Sequence, residues 1–294
     1  MPLEDFIITV YCLVDDLYKK TTKNITLRRR GPQPKLTDAE IITMDIVGEY
    51  LSLKGDKNIW EYFKIHWGHF FPTLGCRTSY VRQSANLWRI KSMIQENLSQ
   101  AFDGDLAMFD GFPIPMCHIK RYKKSKNLKD VGTVGYCASK EEYYFGFTGN
   151  LMISRGGGIT GFALTPANID ERDVLPEVVF GYKGRLLADK GLIRFHLSEI
   201  LAKRGIDLQT PLRKNMPDTR LKKFIRWVVS TRRLVETVIG QLTDRFNIQR
   251  IRAQDLWHLG AKIGRKLLAH TVCLLINTDL TPHNPLQIER ILAF

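Results

Sequence analysis

Between residues 105 and 210, short apolar runs and helical stretches follow one another in an order that few folds accept. Three β-prone runs come first, at 106–110, 143–153 and 159–165, and Gly156-Gly157-Gly158 reads as the hairpin turn between the second and third. A helical stretch at 170–179 follows, then a fourth run at 184–189, a helix at 192–204 and a short fifth run at 207–210. From about Thr219 onward the apolar spacing is helical again. Three strands followed by helix, strand, helix and strand predict an α/β domain. Its sheet is expected to be mixed and five-stranded, antiparallel at its start, with flanking helices.

Residues 1–100 read as helical. Thr37-Asp38-Ala39-Glu40 forms a capping box, in which the Thr hydroxyl satisfies an orphan N–H and the Glu reaches back. Ile41, Met44, Val47, Tyr50 and Leu51 then recur at helical spacing, to a stop near Lys54-Gly55. Further helices are expected at 58–67 and 79–102. The chain therefore divides into an all-helical region at 1–102 and the α/β domain at 103–294. Ahead of the capping box, Arg28, Arg29 and Arg30 precede Gly31-Pro32-Gln33-Pro34, where the prolines stop regular structure. This segment is either a solvated linker or a phosphate contact.

Charge narrows the partners. Against 30 acidic residues the chain carries 44 Lys and Arg, a formal net charge of +14. A clustered surplus of that size points to a polyanion, because each cation set against a phosphate releases condensed counterions. The five cysteines never occur as CxxC, which suits free thiols in a reducing compartment. No apolar stretch approaches the ~20 residues of a membrane helix, so no membrane association is expected.

Two of the apolar runs end in acids, Asp110 in Met-Phe-Asp-Gly and Asp189 in Leu-Ala-Asp-Lys-Gly. Strand ends are where side chains converge on a ligand, although either acid alone also suits an ordinary turn. Glu236 supplies a third. Its helix has an apolar stripe of Val235, Val238, Ile239, Leu242 and Phe246, and Arg232, Glu236, Gly240 and Thr243 form a lane beside it. The plainer role for Glu236 is an i,i+4 ion pair with Arg232. Three hard oxygen donors without a histidine cluster fit Mg²⁺ or Mn²⁺ better than Zn²⁺. Two such ions about 3.5–4 Å apart can activate an oxygen nucleophile and stabilise the leaving oxygen of a phosphodiester.

Lys120, Arg121, Lys123, Lys124, Lys126 and Lys129 follow the first acid, with Tyr122 among them to stack on a base. Arg213 and Lys214 carry the same signal less strongly. Cys117, His118 and Cys137 lack paired zinc spacing. His258 and His270 read as core or satisfied polar residues rather than ligands, and Trp227 and Trp257 as core aromatics, a wedge into DNA being the alternative. The Gly156–Gly158 run lacks the Gly-Lys-Ser/Thr of a phosphate loop.

Long segments of the chain resemble bacterial and archaeal insertion-sequence transposases of the DDE type, and among these the insertion-sequence 982 family. They include LTDAEIITMDIVGEYL, DGFPIPMC, YCASKEEYYFGF, ITGFALTPANIDERD, LLADKGL and STRRLVETVIGQLTDRFNIQRIRAQDLWHL, in one order from about residue 36 to 280. The resemblance implies a ribonuclease-H-like catalytic core with Asp110, Asp189 and Glu236 as its metal-binding triad. It also implies Arg232 and Arg233 at the substrate, and a helical amino-terminal region that recognises terminal inverted repeats. Metal-dependent cleavage at the transposon end and strand transfer into target DNA would follow, by at least a dimer on DNA in the cytoplasm of a prokaryotic host. Related groups often carry a Tyr and a Lys seven residues either side of the Glu, where this chain has Val229 and Thr243. Two other functions stay open: a structure-selective nuclease of the same fold, and a domesticated DNA-binding protein with a vestigial triad.

Overall fold

The computed structural model describes every residue except Arg29, Gly31, Pro32, Asp103, Ser139, Ala293 and Phe294. The chain forms two compact units: Met1–Leu98 with Leu242–Phe294, and Ser99–Gln241.

The first unit is helical. It contains α1 (Leu3–Thr22), α2 (Asp38–Tyr50), α3 (Gly55–His66), α4 (Arg77–Asn86) and α5 (Trp88–Gln100), whose last two residues belong to the second unit. The capping box forms as read, with Thr37 accepting from the Glu40 N–H and Glu40 accepting from the Thr37 N–H. The expected helix at 79–102 is two helices instead, because the chain leaves helical geometry at Leu87. α2 packs against α1, α3, α4 and the late helix α9 (Leu256–Leu280), so all of its residues except Glu40 are buried.

The second unit holds one sheet. Its strands are β1 (Leu106–His118), β2 (Thr133–Cys137), β3 (Glu142–Ser154), β4 (Ile159–Pro166), β5 (Gly184–Leu187) and β6 (Ile206–Gln209). The order is β2-β3-β1-β5-β6, with β4 also on β3. β2 takes β3 residues 142–146 and β4 takes residues 147–153, so two strands share one edge and the sheet is five strands wide. The β1, β3 and β4 pairings are antiparallel, and β5 runs parallel to both β1 and β6. The mixed five-strand expectation therefore gains β2, whose Thr-Val-Gly-Tyr-Cys had not been read as a strand.

Two helices follow strands as the sequence predicted, α6 (Glu171–Val178) and α7 (Phe195–Lys203). Val174, Leu175 and Val178 of α6 and Leu197 and Leu201 of α7 bury against Ala107, Phe109, Met152, Leu186 and Ile206 of the sheet. That apolar layer is what orients the ends of β1 and β5. The long helix α8 (Lys222–Asp244) carries the chain from the second unit into the first. Val235, Val238, Leu242 and Phe246 of its predicted stripe are fully buried.

Candidate active site

β1 does not stop at Asp110, as its Asp-Gly had suggested; Asp110 is its fifth residue of 13. The strand continues because Phe112 and Ile114 alternate into buried positions on β3. Pro113 and Pro115 are tolerated because β5 accompanies β1 only over Leu106–Met108, and beyond that β1 is an edge strand on that side. Asp110 thus lies two residues past the end of the parallel pairing. Asp189 lies two residues past Leu187, where β5 ends. Both acids stand at the carboxyl end of the parallel pair β1/β5, where open α/β sheets bind ligands.

Arg232 of α8 joins two of the three predicted acids. Its Nη1 donates to Asp110 Oδ2 at 3.2 Å, and its Nη2 donates to Glu236 Oε1 one helical turn away. The i,i+4 pair read from the sequence exists, and the same guanidinium also reaches across to the sheet. Asp110 accepts from the Gly111 N–H at 3.0 Å. Asp189 accepts from the Gly191 N–H at 3.4 Å and caps the 3₁₀ turn Lys190–Leu192, so it also does the ordinary work of a turn residue.

Burial dominates the electrostatics of the site. Burial, with the charges of Asp189 and Glu236, pushes the Asp110 carboxyl up to about 6, against the pull of Arg232. Glu171, which the sequence had not singled out, is pushed up to about 7 by burial and then by Asp110, Asp170 and Asp189. It stands in the first turn of α6, and an added Cβ on Gly111 would lie 2.0 Å from its Oε1. Because successive strand residues face opposite sides, Glu171 approaches β1 from the α6 side and Arg232 from the other. A Glu in the first turn of a helix is an unremarkable helix-dipole residue, so nothing local in the sequence marked it.

Arg213 and Lys214 are brought next to one of the acids: with Asp189, Lys190 and Gly191 they line a cleft of about 350 Å³. Arg233 is exposed on α8. Lys120, Arg121, Lys123, Lys124 and Lys126 are exposed on and after a 3₁₀ turn that begins where β1 ends. His118 lies eight positions beyond Asp110, which carries the segment roughly 25 Å along β1. Tyr122 stacks on Phe145 with ring centroids 5.8 Å apart, and so is anchored to the sheet rather than offered to a base. Arg28 forms a bidentate pair with buried Asp38 at 2.5 and 2.6 Å, tying the segment to the start of α2. Arg30 is exposed, and Arg29 lies outside the described residues. Trp227 is half-buried beside Phe224, and His270 is buried. Trp257 is exposed, contrary to the core reading, because it lies in the first turn of α9 before it enters the core, and His258 beside it is exposed but paired with Asp255 at 2.7 Å, a satisfied polar residue.

Residues 101–256 match the family described as "Transposase DDE domain". The chain belongs to the DDE transposase family. This transposase also shares its fold with a solved structure, the cryo-EM structure of a piggyBac transposase synaptic complex with hairpin DNA. The likeness has a TM-score of 0.52 at 9% identity, over 94% of this chain and 76% of that one. No curated protein matches the chain. The mixed α/β sheet with flanking helices is thus the fold shared with that transposase structure, and the family acts on DNA with divalent metal ions.

The donor set suits such an ion: Asp110, Asp189 and Glu236 are all hard oxygen donors. As the side chains stand, no three Asp, Glu, His or Cys among the described residues are close enough to hold one metal together. The Arg232 guanidinium lies between Asp110 and Glu236 and supplies the cationic charge there. Among the described residues no helix is long and apolar enough to cross a membrane.

Proposed function

We propose that this transposase cuts DNA at the terminal inverted repeats of a mobile element and joins the freed end to target DNA. Asp110, Asp189 and Glu236 hold its divalent ions, Mg²⁺ with Mn²⁺ as a substitute. The observation that carries this assignment is the Arg232 guanidinium, hydrogen-bonded at once to Asp110 on the sheet and Glu236 on α8. Bound there, divalent ions would activate the attacking oxygen and stabilise the leaving one.

The protein's own groups have separate tasks. Asp110 and Asp189 present oxygens from the ends of adjacent parallel strands, so the sheet sets their spacing. Glu236 is the more exposed acid, at 49% of its side chain against 23% for Asp110, and it completes the site from the helix side. Arg232 balances the carboxylates and is placed to orient a scissile phosphate once they turn to metal. Lys190, Arg213 and Lys214 flank Asp189 and suit the phosphates on either side of the cut. Arg29, Arg30 and Arg233, with Lys120, Arg121, Lys123, Lys124 and Lys126, bind the backbone further out, whereas Arg28 is held by Asp38. The segment at 103–294 is the catalytic domain, and the helical region at 1–102 recognises the element end.

Membership of the insertion-sequence 982 family, action as a dimer that pairs two ends, and a prokaryotic cytoplasm complete the proposal. A labelled duplex carrying the flanking element end, incubated with Mg²⁺, Mn²⁺ or EDTA, tests it. Nicking at the end should require metal and disappear in Asp110→Asn, Asp189→Asn and Glu236→Gln. Retained nicking in any of the three removes that residue from the site.

A further inference from the structure

The helical unit carries a groove that the reaction chemistry does not use. It runs along α4 as two adjoining cavities of about 830 and 530 Å³, which share Arg82, Asn86 and Trp257. Among the described residues no Asp or Glu lines either cavity, whereas Arg28 and Lys35 line the first, Arg77 the second and Arg82 both. Arg28 is committed to Asp38, but Lys35, Arg77 and Arg82 are exposed. Two large aromatics stand on the same groove with much of their surface in solvent, Trp88 at 43% and Trp257 at 42%.

We propose that this groove binds an unpaired stretch of DNA, its bases stacking on Trp88 and Trp257 and its phosphates on Lys35, Arg77 and Arg82. Cavities of this size take one small molecule's worth of ligand at a time, so a base with its sugar enters where a double helix does not. Exposed aromatics beside a cationic, acid-free track are how single strands are held, because every base offers a face to stack. Asn86 lines both cavities and places an amide where a base edge can be hydrogen-bonded. On an exposed helix face such tryptophans would otherwise be unfavourable surface. The inference rests on DNA being the substrate; it goes beyond the cutting site by giving the helical unit a role at frayed or unpaired ends.

The test uses the intact protein in EDTA, titrated with a labelled oligothymidylate of about 12 nucleotides and with a duplex of equal length. The single strand should bind more tightly than the duplex and quench tryptophan emission. Trp88→Ala and Trp257→Ala should each weaken it roughly five- to a hundredfold. Arg82→Ala should lower the slope of log K against log salt by about 0.7, the share of one phosphate on a single strand. Thermal melting of each variant at the wild-type temperature shows that the unit still folds. Tryptophan variants that fold and keep wild-type affinity overturn the proposal, as does preference for the duplex or for oligouridylate. Metal-dependent nicking of the element end, measured on the same preparations, separates the two ideas. Nicking without single-strand binding removes the groove alone, and absence of nicking by the wild type removes the cutting role.

Discussion

Arg232 is the single residue on which the electrostatics of the acidic site turn. It opposes a carboxyl that burial and two neighbouring acids already hold at about 6. Arg232→Ala should therefore drive Asp110 further up in metal-free protein, while Arg232→Lys, with one point charge, should only partly hold it down. Carboxyl-carbon NMR titration reads this directly, and a downward shift in Arg232→Ala would show that the guanidinium is not the compensating charge. Nicking should fall in the same variant without loss of folding, because the hydrogen bonds of Arg232 go to the acids Asp110 and Glu236. The Arg232–Glu236 spacing was legible in the sequence as a helical pair. Its second partner was not, since Asp110 is 122 residues away and only the packed fold brings it within reach. Glu171 was hidden for the same reason: what distinguishes it is the absent side chain of Gly111 against its carboxyl.

At the scale of elements, β3 changes edge partner from β2 to β4 at Gly146 and Phe147, and β1 shifts register opposite, between Pro115 and Cys117. Gly146 has φ +156°, and an added Cβ would lie 2.4 Å from the Ile114 carbonyl oxygen. Backbone cannot swing aside as a side chain can, so Gly146→Ala should cost about 3 kcal/mol or more in urea unfolding. Gly111→Ala, which meets only the flexible end of Glu171, should cost much less. In the helical unit, α2 is surrounded, and its acids Asp45 and Glu49 are buried rather than solvated. Lys91 of α5 meets Asp45 at 2.5 Å. Arg265 of α9 meets Glu49 at 2.7 Å and Asp56 at 2.6 Å, and Tyr80 of α4 also donates to Asp45. Loss of Lys91 leaves Asp45 with Tyr80, Ser84 and the longer contact to Arg265, so Lys91→Met should destabilise the protein by about 1–3 kcal/mol. The double variant with Asp45→Asn should recover part of the loss; if it does not, the two residues are not coupled. The capping box at Thr37 was readable because it is local. The network was not, since acids at those helical positions ordinarily face water.

For the molecule as a whole, stability is linked to pH through the raised carboxyls of Asp110 and Glu171 and, in the helical unit, through His270. His270 is fully buried, and burial holds it down at about 4. A base depressed in the folded state contributes stability above its unfolded value of about 6.5 and loses it as pH falls toward 4. Between pH 7 and 4.5 the loss from this group should be roughly 2–3 kcal/mol. His270→Gln should flatten that part of the profile in urea unfolding, and an unchanged difference between the two pH values would locate the sensitivity elsewhere. The +14 charge also operates at this scale, but its distribution is uneven. The most basic segment lies along β1 away from Asp110, whereas Arg213 and Lys214 share a cleft with Asp189.

By itself the sequence determined what depends on neighbours along the chain. This covers most of the strands and helices, though not β2 or the break at Leu87, together with the capping box, the apolar stripe of α8 and the +14 charge. Local propensity and periodicity act over a few residues, so they survive in a one-dimensional reading. Only the tertiary structure decided how far β1 runs, because its second half is held by pairing to β3. Likewise it decided that Trp257 is exposed, that α2 is buried on all sides, and that Arg232 reaches Asp110. Each of these is a contact between segments distant in sequence, and packing and charge compensation between such segments exist only once the chain has folded.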